Sequence, residues 1–285
     1  MSGRFEGQVA IVTGASSGIG LAVAERLGSE GARLVIIGAP ADRGDLDGAL
    51  QALRERGYSV EGLAADIADP DTAERAVALA LSRFGRLDVL INNAGTGYYE
   101  PVLDAPLAHL DRTLAVNVRG TYVMSVRAAR AMRERGRGAI VNTASTASLA
   151  GEEFQATYNT SKGAVMALTR SLAVDLAPVG IRVNAVAPGW VDTRPNKVVF
   201  GDPAQWLKHR SRIPMDRAAT PAEIAAVHAF LASDDASYVT GAIYVCDGGL
   251  TAGYRYSNWA AVEPPPEGLS IGMPDIPADM GWTAD

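Results

Sequence analysis

Short, continuous apolar runs alternate with amphipathic stretches over most of the chain. Residues 9–12 (Val9, Ala10, Ile11, Val12) are apolar throughout and lead into a glycine-rich turn. A run without polar alternation predicts a strand covered on both faces. Residues 21–30 then place Leu21, Ala24 and Leu27 on one helical face, and Gly31 closes the helix. Further strands are predicted at 34–37, 89–91, 139–141, 182–186 and 242–245, with a shorter one at 63–65. Helical spacing predicts helices at 46–56, 71–84, most of 107–135, 156–176 and 221–231. Pro221 in the first turn and Thr220 just before it mark the start of the last helix. Seven strands alternating with helices predict an α/β fold: a doubly wound parallel sheet with helices on both faces.

Two stretches break the alternation. Residues 189–215 hold Pro195, Pro203 and Pro214 with Trp190 and Trp206, the pattern of a long loop with a short helix that lids a site. Residues 251–285 carry Pro264, Pro265, Pro266, Pro274 and Pro277 and little periodicity. They read as a C-terminal tail after one domain spanning 1–250, either frayed or packed as an arm on a neighbour through Tyr254, Tyr256, Trp259 and Trp282. Composition narrows the function. The 285 residues are 48% hydrophobic and 20% charged with a net charge of −6, an acidic balance that disfavours nucleic acid and anionic membrane as partners. No apolar run approaches the ~20 residues of a membrane span, and the first residues lack a signal-peptide core, so the expected location is cytoplasmic. A lone Cys246 and three scattered histidines, His109, His209 and His228, leave no metal site in view; the histidines read as surface or helix residues.

The segment Thr13-Gly14-Ala15-Ser16-Ser17-Gly18-Ile19-Gly20 joins the first strand to the first helix. Glycines there allow a tight turn and let a pyrophosphate approach backbone N–H groups at the positive helix end. With its Gly-x-x-x-Gly-x-Gly spacing the chain resembles the short-chain dehydrogenase/reductase family. Further motifs follow in order: Asn92-Asn93-Ala94-Gly95, Asn117, Ser145, Tyr158-x-x-x-Lys162, Pro188-Gly189 with Thr193, and Asp247-Gly248-Gly249. The resemblance covers about residues 5–250 and implies a Rossmann-type sheet and a nicotinamide cofactor. It places cofactor contacts at Gly14, Ser16, Ser17, Gly18, Ile19, Gly20, Gly38, Ala39, Asp66, Ile67, Asn93, Ala94, Gly95, Tyr158, Lys162, Pro188, Gly189, Val191 and Thr193. It also implies a homotetramer or dimer, with 107–135 and 156–176 as the expected interface helices.

The chemistry follows from the residue types. Tyr158 and Lys162 are four apart on a helix and so share a face. A phenol with pKa ~10 is a poor acid or base near neutrality; a neighbouring ammonium is expected to lower that value by ~2–3 units. Tyr158 then exchanges a proton with a carbonyl or alcohol oxygen, and Ser145 hydrogen-bonds the same oxygen. The resemblance implies that Lys162 also binds the nicotinamide ribose and that Asn117 holds a water in a relay to it.

At the end of the second strand Gly38 and Ala39 carry no charge, so the acid that selects NAD is missing, and neither Ser17 nor Ala39 is the base that selects NADP. Arg43 can reach a 2′-phosphate and Asp42 a ribose, which leans toward NADP with NAD as the alternative. The expected substrate pocket draws on Tyr98, Tyr99, Leu149, Phe154, Trp190, Phe200 and Trp206, a lining for an apolar or cyclic alcohol or ketone, with Glu152, Glu153 and Gln155 either bonding a polyol or lying on an exposed loop. Ser145, Tyr158, Trp190 and Gln155 are the substrate-binding candidates. The expected function is hydride transfer between a nicotinamide cofactor and a secondary alcohol or ketone. The alternatives are a non-redox lyase or epimerase and a cofactor-sensing binding protein on the same scaffold.

Overall fold

The apolar runs form the strands of one sheet. A computed structural model describes residues 3–253. The tail expectation for 251–285 falls almost wholly outside the described residues. Strands β1 (Val9–Thr13), β2 (Arg33–Gly38), β3 (Val60–Ala64), β4 (Val89–Asn92), β5 (Gly138–Thr143), β6 (Ile181–Pro188) and β7 (Ile243–Cys246) are all parallel, in the order β3-β2-β1-β4-β5-β6-β7. The order reverses between β1 and β4, so the loops leaving these neighbours diverge and open a crevice at the strands' carboxyl ends.

Successive side chains of β1, β2, β4, β5 and β6 serve opposite cores. Ala10, Val12, Leu34, Ile36, Ile91, Val141 and Val186 pack with α1 (Gly18–Ser29), α2 (Arg43–Glu55) and α9 (Pro221–Ala232). Val9, Ile11, Val35, Ile37, Leu90, Ile140 and Val183 pack with α3 (Pro70–Phe84), α5 (Thr121–Arg133) and α6 (Ala156–Leu176). Burial on both faces is why the runs show no polar alternation. Four buried polar side chains lock α5 and α6 onto β4 and β5: Asn92 Nδ2 donates to Ser125 Oγ and Asn142 Oδ1, and Asn142 Nδ2 donates to Thr169 Oγ1, each at 2.9 Å. Such a network fixes where α6 presents its face.

Several elements differ from the periodicity: α2 and β3 each start three residues earlier than expected. Helix α1 starts at Gly18, not Leu21, because the glycine loop feeds directly into the first turn with Ser17 as N-cap. The helix expected over most of 107–135 is three pieces: α4 (Leu107–Leu114), a π turn over Ala115–Gly120, and α5. The π turn carries Asn117, and such turns re-aim a side chain within a helix. It also brings Gly120 so close to Ile67 that a Cβ would lie 2.9 Å from the Ile67 carbonyl oxygen. The segment after β6 contains two short helices, α7 (Lys197–Phe200) and α8 (Pro203–Arg210), where one was expected. Helix α9 begins in a full capping box between Thr220 and Glu223, as its sequence signals.

Candidate active site

The turn after β1 is shaped for a close approach. Gly14 has φ +63° and a Cβ there would lie 2.7 Å from Ala94 Cα; Gly18 has φ +57°. Asn93 stitches the loop to the end of β4: its N–H donates to Thr13 Oγ1 at 3.0 Å, and its Nδ2 donates to the carbonyls of Thr13 and Gly14 at 3.2 and 3.1 Å. The Ala94 N–H also donates to Thr13 Oγ1 at 3.0 Å. Ser17 caps α1 without a side-chain bond, so its side chain satisfies none of the first-turn N–H groups, the arrangement that receives a phosphate. Thr193 closes over the loop, its Cγ2 lying 3.3 Å from where a Gly18 Cβ would be. A groove of about 510 Å³ beside it is lined by Ser17, Gly18, Thr193, Arg194, Lys197 and Pro221 among others. Across the crevice, Gly95 lies where a Cβ would be 3.4 Å from both Asn117 Oδ1 and Lys162 Nζ. A narrow cradle with a positive helix end and a buried ammonium fits a dinucleotide. Gly14 to Gly20 are placed to hold its pyrophosphate, with Lys162 and Thr193 flanking the same crevice.

The adenosine end is less closed. Gly38 ends β2 with its missing Cβ 3.3 Å from Ser16 Cβ, so both border the same space. Ala39 begins the following turn. Arg43 points into solvent and lies 3.8 Å from Asp47. Asp66 pairs with Arg112 at 2.7 Å and accepts from the Ala68 N–H at 2.9 Å. Partial burial pushes its carboxyl up, but these bonds outweigh that and hold it below the usual range. Ile67 is buried under Gly120. At the other end Pro188 closes β6, the Gly189 N–H donates to the Cys246 carbonyl at 3.1 Å, and Val191 bridges to Ala219.

The catalytic candidates come together at the ends of β5 and α6. Ser145 follows β5, and its Oγ accepts from the Ala147 N–H at 3.1 Å, which leaves the hydroxyl proton free to donate. Lys162 is 4% exposed and donates to the Thr143 carbonyl at 2.7 Å, with Nζ 5.6 Å from the Tyr158 ring centre. Burial lowers its pKa to about 8. Gly97 packs on the Tyr158 ring, where a Cβ would lie 2.7 Å from Cδ2.

Tyr158 departs from expectation. Burial pushes its phenol up, the Ser145 hydroxyl pulls it down, and the charge of Glu152 raises it again, so the net shift is upward. Desolvation of the phenolate outweighs the Ser145 bond, and the downward pull expected from Lys162 is not among the causes of the shift. Asn117 sits in the π turn. It is 1% exposed, its Oδ1 accepts from the Thr96 N–H, and its Nδ2 donates to the Thr96 carbonyl and Ser161 Oγ, all at 2.8 Å. The side chain therefore pins the loop after β4 to α6.

On the substrate side, Gln155 starts α6 and its Nε2 donates to Glu152 at 2.8 Å. Burial raises the Glu152 carboxyl, and Arg212 and Gln155 pull against that. Trp190 packs with Phe200, Trp206 and His209 in the lid segment, its ring centre 4.4 Å from that of His209. His109 stacks on Tyr98 at 3.7 Å and bonds Glu100 at 2.6 Å. His228, read as a surface or helix residue, is on a helix and not on the surface. It lies on α9 and is 0% exposed, and its Nε2 meets Thr143 Oγ1 at 3.0 Å. The available signal was a polar side chain within the apolar stripe Ile224, Ala225, Ala229 and Ala232.

Residues 14–251 match the family model described as enoyl-(acyl carrier protein) reductase. An L-rhamnose 1-dehydrogenase (NAD(P)(+)) from Azotobacter vinelandii is 42% identical over 244 residues, 84% of this chain and 95% of that protein. A cis-4-hydroxycyclohexanecarboxylate dehydrogenase from Sinomonas cyclohexanicum is 42% identical over 258 residues, 88% of this chain and 100% of that protein. A crystal structure of a putative NAD(P)-dependent gluconate 5-dehydrogenase from Beutenbergia cavernae, with NADP bound at low occupancy, superposes with a TM-score of 0.83 at 38% identity, covering 88% of this chain and 100% of that one. The chain belongs to the short-chain dehydrogenase/reductase family. It is an NAD(P)-dependent oxidoreductase that transfers hydride between the nicotinamide cofactor and an alcohol or ketone. Among the described residues no helix is long and apolar enough to cross a membrane.

Proposed function

We propose that Tyr158, Ser145 and Lys162 catalyse oxidation of a cyclic secondary alcohol, or reduction of its ketone, in the crevice at the ends of β4, β5 and β6. The observation that carries this is the half-buried Tyr158, its hydroxyl bonded to Ser145, on the same helix face as a lysine anchored to Thr143. The bound nicotinamide supplies or accepts the hydride. Tyr158 as the phenol gives its proton to the carbonyl oxygen in reduction; in oxidation it is the phenolate form, beside the Lys162 ammonium, that takes the proton from the hydroxyl. Ser145 spends a lone pair on the Ala147 N–H and aims its own proton at the same oxygen, steadying charge as it develops. Lys162 places a positive charge behind Tyr158 that favours phenolate when the proton leaves. Asn117 holds the Thr96 loop against Ser161 and keeps that side of the crevice in shape.

Trp190, Phe200 and Trp206 offer the substrate ring an apolar wall, and Glu152 and Gln155 offer bonds to a further hydroxyl. The named activity of the Azotobacter relative on a sugar supports this second half. With no carboxylate at Gly38 or Ala39, and with Arg43 exposed nearby, the adenosine end favours NADP over NAD. Leu107, Tyr122 and Val174 are exposed apolar side chains on α4, α5 and α6; they support assembly into a dimer or tetramer through these helices, which light scattering tests. The reading as a whole is tested with purified protein, NADP+ or NAD+, and a panel of cyclic secondary alcohols and sugars, followed by nicotinamide absorbance. Turnover that Tyr158→Phe removes supports it. Turnover with no change in nicotinamide would favour a lyase or epimerase instead.

A further inference from the structure

Helix α9 touches the cofactor groove at Pro221, and another of its side chains reaches the catalytic lysine through a single intermediary. His228 is 0% exposed and is held at both ring nitrogens. Its Nδ1 lies 3.0 Å from the Ile224 carbonyl and its Nε2 lies 3.0 Å from Thr143 Oγ1. A carbonyl only accepts, so Nδ1 carries the proton. Burial keeps the imidazole neutral, pushing its pKa down to about 4, so Nε2 is an acceptor and the Thr143 hydroxyl must donate to it. That hydroxyl has one proton. It goes to Nε2 at 3.0 Å and not to Asn93 Oδ1, which lies 3.5 Å away.

Thr143 is the last residue of β5, two positions before Ser145. Its carbonyl accepts from Lys162 Nζ at 2.7 Å, while its side chain faces α9. The hydroxyl bond to His228 therefore fixes the strand end that captures the lysine and launches the serine. Asn93, beside the same hydroxyl, ties β4 to the glycine loop.

We infer that His228 is a positioning residue: through the Thr143 hydroxyl it sets the carbonyl that holds Lys162, and so couples α9 to the catalytic lysine. The inference rests on the assignment of Lys162 to the cofactor and to the proton transfer. A side chain at 228 that only filled the core would be replaceable by any apolar residue of similar size without change at the crevice.

The test is a double-mutant cycle on the full chain, using His228→Val, Thr143→Val and their combination, with Thr143→Ser and His228→Gln as conservative variants. The readouts are the affinities for NADPH and NADH by nicotinamide fluorescence, kcat and KM on the best alcohol of the panel, and Tm. Each single variant is expected to lower kcat and cofactor affinity by about tenfold, the worth of one buried hydrogen bond, with substrate KM unchanged. The double variant is expected to lose no more than either single, because both act through one bond. Thr143→Ser and His228→Gln keep a hydroxyl or an acceptor at the joint and are expected to recover most of the loss. Additive losses, or a lower Tm with cofactor affinity and kcat intact, would overturn the inference. If no alcohol or ketone is turned over even by the unaltered chain, the proposed reaction fails. Cofactor affinity still decides on His228: non-additive losses that the conservative variants recover support it, and unchanged or additive affinities overturn it. Should His228→Val fail to fold, Thr143→Val against Thr143→Ser reads the same joint from its other side.

Discussion

The two halves of the crevice are built on opposite principles. Where β4, β5 and α6 meet, the polar groups are buried and bonded: Asn117 to Thr96 and Ser161, Lys162 to Thr143, His228 to Thr143 and Ile224. Beyond β2 the charged groups are solvated. Arg43 lies 3.8 Å from Asp47, and Arg194 of the segment after β6 reaches back to Asp45 at 2.7 Å. A buried polar group that loses its partner is expensive, whereas an exposed ion pair contributes little. The first half therefore admits few changes and fixes the reaction. The second can be retuned by single substitutions and sets a preference among cofactors.

The contrast is broken most severely in the buried half. Tyr158→Phe removes the exchangeable proton and is expected to lower kcat by roughly 10²–10⁴-fold, with NADPH and NADH affinities unchanged. Retained turnover in that variant would remove Tyr158 from the mechanism. Lys162→Met tests a cost that comes with the function. Burial lowers the lysine from 10.5 to about 8, so between those values the unfolded chain binds more protons than the folded one. The lysine's destabilising contribution is therefore complete below pH 8 and fades as pH rises to 10.5. A shift of this size is on the order of 3 kcal/mol, and the Thr143 carbonyl left without its donor returns about 1 of them. Lys162→Met is expected to lose activity and yet gain about 1–2 kcal/mol against urea at pH 7. That gain should shrink at pH 9.5; a loss of stability at pH 7 would mean that the lysine also braces the fold.

His228 gives the matching effect on the acid side. Its folded value of about 4 lies below the usual 6.5. The stability linked to its neutral form is complete above pH 6.5 and is lost as pH falls toward 4. Urea unfolding of His228→Gln should fall less steeply than that of the unaltered chain across this window; parallel curves would show that His228 is not a buried neutral imidazole.

How much of this the sequence disclosed follows the same division. Tyr158 and Lys162 could be placed on one face by the helix period, Ser145 and the glycine loop by the strand ends they follow and the motifs they match, and the alternation predicted a parallel sheet without the order of its strands. The direction of the Tyr158 shift could not be read, because desolvation depends on what covers the ring, including Gly97 and the strand ends. Asn117 was in view, but the π turn that buries its amide on Thr96 leaves no mark in residue spacing. His228 and Thr143 are 85 residues apart, and Arg194 and Asp45 are 149 apart. Pairings at that range exist only once the sheet has assembled.

The exposed half yields the smallest effects, and they separate two accounts of cofactor preference. If Arg43 supplies the charge for a 2′-phosphate, Arg43→Ala weakens NADPH by about two- to fivefold, leaves NADH alone, and loses its effect in high salt. The Arg194–Asp45 pair acts in the opposite sense. While paired, Asp45 has its negative charge offset beside the adenosine end; Arg194 holds its carboxyl below the usual range. Arg194→Ala releases a carboxylate that repels a phosphate and accepts from ribose hydroxyls, so the NADPH-to-NADH affinity ratio should fall. Asp45→Asn removes that charge and should raise the ratio. Side-by-side fluorescence titrations of the three variants decide between them. A ratio that moves with Arg43 alone assigns the preference to α2. A ratio that moves in opposite directions with Arg194 and Asp45 makes the lid segment part of cofactor selection, since the residue that tunes the β2 end then arrives from the far side of the sheet.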